Sequence, residues 1–233
     1  MPSFDIVKET KPRKTFRTES VIGSFDLQVE SLKQRFRGNI DIENKDWNIG
    51  LIVGASGSGK STIAKEVFGK EYFKNHVWGD NAIVDEMPKN RTMSEIEKAF
   101  TSVGFASPPS WLKPFGVLSN GEKMRVEIAY CLLNDDPMTV YDEFTSVVNR
   151  EVAKTASMAI NKALKRSGKK FIAISCHDDI IPYLQPDWIY NTDEQRFFFA
   201  KTNTKSQNSS SKFTSLTTLI KSQYGKFLSN ITI

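Results

Sequence analysis

Residues 54–62 read GASGSGKST. Gly54, Gly59, Lys60 and Ser61 occupy the fixed positions of the pattern G-x-x-x-x-G-K-[ST]. The glycines let the backbone turn so that consecutive N–H groups point inward, where they meet phosphate oxygens. Gly54, Ser56, Gly57, Ser58, Gly59, Lys60, Ser61 and Thr62 are therefore expected to hold the phosphates of a nucleotide. In this pattern Lys60 reaches the β- and γ-phosphates, and the Ser61 hydroxyl binds Mg²⁺. The pattern needs a strand before it and a helix after it. NIGLIVG (48–54) supplies a short apolar strand, and the residues after Gly59 open a helix that stops at Gly69. The positive end of that helix adds to the anion site. The loop predicts nucleotide binding but leaves the reaction open, since kinases, GTPases, helicases and transport ATPases share it. The sequence contains no Asn-Lys-x-Asp tetrapeptide, so the base-reading element of a GTPase is missing.

The flanking segments set the fold class. AIVD (82–85), MTVYDE (138–143) and KKFIAISC (169–176) read as further short buried strands. Helices are expected over MSEIEKAFTSVGF (93–105) and over 150–166, with SPPSWLKPFG (107–116) as loop. Apolar strands alternating with helices predict an α/β chain with a P-loop core, a mostly parallel sheet covered on both faces. SFDLQVES (24–31) and GNIDIENKDW (38–47) predict a small antiparallel β part ahead of the core. Residues 86–130 form a short helical subdomain. One ATPase domain is expected over 1–200, followed by a polar linker and basic tail over 201–233.

Composition excludes several classes. The chain has 233 residues, 39% hydrophobic and 25% charged, which is an ordinary globular mixture. No run of eighteen apolar residues is present, and no apolar stretch follows the basic residues near the start, so neither an integral membrane segment nor a secretory signal is expected. Cys131 and Cys176 are the only cysteines, too few for a disulfide framework, and point to a reduced, cytoplasmic protein. Cys176 and His177 are not expected to form a thiol dyad, because neighbours on a strand point to opposite faces. The net charge of +5 resides at the ends: residues 201–233 hold five Lys and no acid, and 8–17 are also basic. Nucleic acid could be contacted through these basic termini, against the plainer reading of solvated tails.

Residues 118–130 read LSNGEKMRVEIAY. Ser119 and Glu122 fit the capping box S-x-x-E, which leaves a helix start with a serine hydroxyl and a bare glycine backbone, an anion site. Alone, such a turn is a helix cap, an Asp-Glu pair is a polar strand end, and a His after a strand is structural. Together and in this order, LSNGE, KMRVEIAYCLL and MTVYDEFTSVVN resemble the ATP-binding cassette (ABC) ATPase family. Its signature is LSGGQ-x-Q-R-V-x-x-A-x-A-L, followed by a strand ending D-E-P-T-S-x-L-D. Leu118, Ser119, Gly121, Arg125, Val126 and Ala129 match the first motif, and Asp142, Glu143, Thr145 and Ser146 the second. His177 in ISCHDD resembles the family's switch histidine. The resemblance covers 54–178. It implies ATP and Mg²⁺ as cofactors and an ATP-dependent homodimer, with Ser119 and Gly121 contacting in trans the γ-phosphate held by a second copy. It also implies that Asp142 orients the Mg²⁺ shell with Ser61, that Glu143 orients and deprotonates the attacking water, and that His177 bridges water and γ-phosphate or holds Glu143. Lys60 neutralises charge. ATP hydrolysis would then drive or gate an unidentified protein partner.

The chain departs from the pattern in several places. Asn120 and Glu122 replace Gly and Gln, Phe144 replaces Pro, and Asn149 replaces the last Asp. No Gln follows AIVD, so Asp85 or Glu86 would have to substitute for the family's Q-loop residue. Phe25 and Phe36 are candidates for the aromatic that stacks on adenine, against the plainer reading that each is a core residue. Only residues 87–117 separate Glu86 from Leu118, shorter than the subdomain of transporter cassettes, which favours a compact, soluble, non-transport ATPase. The alternatives are the nucleotide-binding subunit of an ABC transporter and a nucleic-acid-associated regulatory ATPase. A small-molecule kinase would leave the signature unexplained.

Overall fold

The amino-terminal sheet is built from segments other than those the sequence pattern suggests. The computed structural model describes residues 3–9, 13–27, 33–74 and 76–199. Ser3–Glu9 (β1) pairs antiparallel with Lys33–Asn39 (β2), and the helix Phe16–Ser24 (α1) lies between them. Of the two strands expected at 24–31 and 38–47, the first begins at the last residue of α1 and runs partly outside the described residues. The second keeps only Gly38 and Asn39 in β2 and continues as a turn. β2 (KQRFRGN) contains one large apolar residue, Phe36, which packs with its cross-strand partner Ile6 against the second apolar cluster, while Arg35 and Arg37 reach Asp5 at 2.6 and 3.2 Å on the exposed face. Hydrophobic alternation cannot reveal such a strand.

The strand ahead of the phosphate loop is as expected. Ile49–Val53 (β3) is buried along its whole length. Side chains alternate across a sheet, so both faces need cover. Ile49, Leu51 and Val53 join one apolar cluster with Phe100, Phe144 and Phe171, while Ile52 joins a second with Trp188 and Tyr190. Each such side chain contributes about 1.5–3 kcal/mol on burial. Met138–Tyr141 (β4), Lys170–Ser175 (β5), β3 and Trp188–Asn191 (β6) lie side by side in parallel, and Arg196–Phe199 (β7) turns back antiparallel on β6. β6 and β7 lie beyond the segments the sequence pattern marked as strands.

The helices are Lys60–Phe68 (α2), Ile83–Glu86 (α3), Met93–Ser102 (α4), Pro108–Trp111 (α5), Asn120–Leu133 (α6), Arg150–Ser167 (α7) and Ile181–Leu184 (α8). α2 ends at Gly69, as predicted, and α7 ends against Gly168 in the left-handed region. Two expectations fail. AIVD is not a strand: Ile83–Glu86 forms one helical turn with Ile83 fully buried, because a run of three apolar residues satisfies either period. SPPSWLKPFG is not all loop, since Pro108 opens α5, where its lack of an N–H is harmless. The polar linker and basic tail expected at 201–233 lie outside the described residues.

Among the described residues no helix is long and apolar enough to cross a membrane.

Candidate functional site

Three parallel strands end at one edge of the sheet, where open α/β folds bind ligands. Val53 is in register with Ser175, and Tyr141 with Ala173, so the phosphate loop, Asp142 and the 176–179 turn all leave the sheet on the same side. The loop's glycines are required by their surroundings. A Cβ on Gly54 would sit 2.0 Å from Thr192 Oγ1, and one on Gly59 would sit 2.3 Å from the Phe36 ring. Gly59 caps α2 in the left-handed region (φ 87°) without a side-chain cap, so the first N–H groups of the helix stay free for a ligand. Lys60 folds back, donating from Nζ to the carbonyls of Gly54 (2.8 Å) and Ala55 (2.6 Å). The β6–β7 hairpin braces the loop. Asp193 accepts the Ala55 N–H at 2.9 and 3.1 Å, and the Ser58 and Thr192 hydroxyls are bonded at 2.6 Å. The sequence carries no motif that marks Thr192 or Asp193 for this role.

Ser61 Oγ donates to Asp142 Oδ1 at 2.9 Å, so residues 81 positions apart meet at the mouth of the loop. Among the described residues no group of three His, Cys, Asp or Glu could hold a metal alone. One hydroxyl and one carboxylate, both oxygen donors, instead suit Mg²⁺ that shares its remaining positions with phosphates and water. Glu143 follows in the left-handed region (φ 55°), as does Thr145 (φ 67°). Such backbone costs of order 1–3 kcal/mol per residue and persists only where the surroundings hold it. The holder is Phe144. It is fully buried, its N–H donates to Ile174 O at 2.8 Å, and its ring packs edge-on against Tyr141 and Phe171.

A cleft of about 320 Å³ joins these parts, lined by Ser56, Gly57, Gly59, Lys60, Ser61, Thr62 and Glu143 with Lys8, Gln34 and Phe36 from the small sheet. Phe36 therefore stands at the site, whereas Phe25 is 72% exposed and does not line the cleft. Lys8 and Gln34, cross-strand neighbours, were not anticipated by any motif. His177 lies two residues past the end of β5 at the same sheet edge, its N–H held by Ser175 Oγ at 3.0 Å, and does not line the cleft. β5 ends at Ser175, so the opposite-faces argument does not reach Cys176 and His177. They sit in a bend with Sγ 3.5 Å from Nδ1. Cys131 is buried, which pushes its thiol up to about 12 and keeps it an unreactive core residue.

Ser119 and Gly121 do not line the cleft of their own chain. Ser119 caps α6 as the sequence predicts: its hydroxyl accepts the Glu122 N–H, while the Glu122 carboxylate accepts the Ser119 N–H at 2.9 Å. These bonds, the backbone one first, hold the Glu122 carboxyl below its usual range. A lowered folded-state pKa means that the contribution is complete above about pH 4.3 and is lost as pH falls through the folded value. Glu122→Ala is thus expected to melt below the wild type at pH 7, with the gap closing in more acidic buffer, measured by circular dichroism. A gap independent of pH would contradict it.

No protein-family profile matches the chain. It is 21% identical over 166 residues to the ribosome protection protein VmlR of Bacillus subtilis, covering 60% of this chain and 30% of that protein. The chain thus spans under a third of that relative. Among solved structures it superposes on the ATP-binding cassette MJ0796, in its dimeric state bound to ADP and Pi, with TM-score 0.54 at 13% identity, covering 72% of this chain and 93% of that one. It superposes on cbiO1 of Clostridium perfringens, part of an ABC transporter complex, with TM-score 0.55 at 17% identity, covering 82% and 87%. The fold is that of an ATP-binding cassette.

Asn149, where the pattern has Asp, caps α7 by accepting the Val152 N–H at 2.9 Å, a role either residue fills. Asn120 in place of Gly ties the start of α6 to the turn after Glu143, donating to Val147 O at 3.1 Å. Asp85 and Glu86, the suggested Q-loop substitutes, do not line the cleft. Glu86 instead accepts from Asn81 at 2.7 Å, which lowers its pKa.

Proposed function

We propose that this chain binds ATP with Mg²⁺ and hydrolyses it, and that two copies close around two nucleotides, each supplying Ser119 and Gly121 to the other's γ-phosphate. The observation that carries the reading is the Ser61–Asp142 hydrogen bond at the mouth of the phosphate loop, with Glu143 lining the same cleft. The metal, held by Ser61 and Asp142, would supply charge neutralisation on the phosphate oxygens. Glu143 would orient water and accept its proton. Lys60 would exchange its bonds to Gly54 and Ala55 for the β- and γ-phosphates, and Phe36 would stack on the base. His177 would reach the γ-phosphate once the turn that carries it closes on the nucleotide. The position of Ser119 and Gly121, away from their own cleft, supports a dimer. We further propose that the cycle drives a protein partner in the cytoplasm. Leu112 (71% exposed) and Met93 (51% exposed) flank an apolar hollow with Trp111 on the helical part, a face suited to such a partner.

Purified protein should bind a fluorescent ATP analogue with Mg²⁺ and release phosphate from ATP. Lys60→Ala removes a charge-assisted contact of about 1.5–3 kcal/mol, so binding should weaken by roughly tenfold to a hundredfold. A wild-type protein that neither binds the analogue nor releases phosphate would remove the reading.

A further inference from the structure

One partly buried carboxylate joins three elements that the site chemistry leaves unexplained. Glu127, on α6, accepts a hydrogen bond from the Tyr141 hydroxyl and pairs with Lys74 Nζ at 2.6 Å. Lys74 lies 4.2 Å above the Tyr141 ring, and its backbone N–H donates to Val140 O at 3.0 Å, next to a parallel bridge between Phe73 and Val140. Beyond Lys74 the same connector presses His76 against Tyr130 of α6, ring centroids 4.1 Å apart, and stacks Trp78 on Phe115 at 4.7 Å. Tyr141 is 5% exposed, and burial raises its pKa, so the hydroxyl stays protonated and donates. A partly exposed ion pair contributes little to stability, so its effect is better sought in what it orients.

What it orients is specific. Tyr141 is the residue before Asp142 and Glu143, while Glu127 lies eight residues along α6 from Ser119, roughly 12 Å at 1.5 Å per residue. We propose that Glu127 is a positioning residue that, through Tyr141, ties the helix begun by the Ser119 turn to the strand that presents Asp142 and Glu143 in the same chain. Lys74 holds the Glu127 carboxylate in place. Because Ser119 serves the nucleotide of a second copy, docking there is passed along α6 to the chain's own carboxylates. The inference rests on the ATPase reading and adds a route by which one site of the pair senses the other.

The test compares turnover with binding. Tyr141→Phe deletes one hydroxyl and keeps the ring. It is expected to lower kcat by roughly tenfold to a hundredfold, the scale of an ångström of misplacement, while the Kd for the fluorescent ATP analogue stays within about twofold. Glu127→Gln should behave alike, and the two changes combined should cost no more than either alone. Lys74→Met with Glu127→Leu exchanges the ion pair for apolar contact and is expected to melt close to wild type yet turn over slowly. If Tyr141→Phe and the Lys74→Met/Glu127→Leu protein both hydrolyse ATP at the wild-type rate, Glu127 is structural and the inference is overturned. A wild-type protein without ATPase activity would instead remove the reading on which it rests.

Discussion

Replacing Glu143 by Gln is expected to lower ATP hydrolysis by about a hundredfold to ten-thousandfold, the range for loss of a positioned general base. The substitution preserves volume and the left-handed backbone at φ 55°, which an amide tolerates as well as a carboxylate does. Binding should survive, because the phosphate loop and the Ser61–Asp142 pair are untouched. The ATP-bound form should therefore accumulate, and with it the dimer that closes around nucleotide. Phosphate release measures the first effect, and size-exclusion chromatography in saturating Mg-ATP measures the second. A variant that remains monomeric under those conditions rules out the paired arrangement, whatever its rate.

Phe144→Ala is expected to cost about 3–5 kcal/mol of stability, the range for emptying a buried phenylalanine site. Domains are stable by about 5–15 kcal/mol in all, so this is a large share. The ring is fully buried and packs edge-on against Tyr141 and Phe171. Phe144→Pro, which would bring the chain closer to the cassette pattern, should be worse still. It leaves the same void and removes the N–H that bonds Ile174 O at 2.8 Å. Urea denaturation should show the midpoint falling with an unchanged slope. A loss below about 1 kcal/mol for Phe144→Ala would mean that the turn carrying Glu143 is held by something else.

The core was legible because its strands are buried on both faces. Ile49–Val53, Met138–Tyr141 and Lys170–Ser175 are mostly apolar and buried along nearly their whole length, and turn chemistry marks their ends. The capping box at Ser119 was legible for a local reason, since both partners lie within one helical turn. What escaped depends on partners far apart in the chain. Phe36 of β2 packs with Ile6 of β1, Ile83 took a helical turn where a strand was expected, and the brace under the phosphate loop comes from Thr192 and Asp193. Lys8 and Gln34 reach the cleft only because the small sheet folds over the loop. No spacing rule links Lys74, Glu127 and Tyr141, and only the fold brings them together.

The brace has a consequence for how the protein is made. Ala55 and Asp193, which share two hydrogen bonds, stand 138 residues apart, and β3 is flanked on one side by β6. A ribosome adds about 5–20 residues per second, so the loop would emerge roughly 7–30 s before the hairpin that shapes it. During that interval the nascent chain carries the phosphate-binding sequence without the support that organises it. The hydrogen bonds that brace the loop therefore form only after the later strands have completed the sheet.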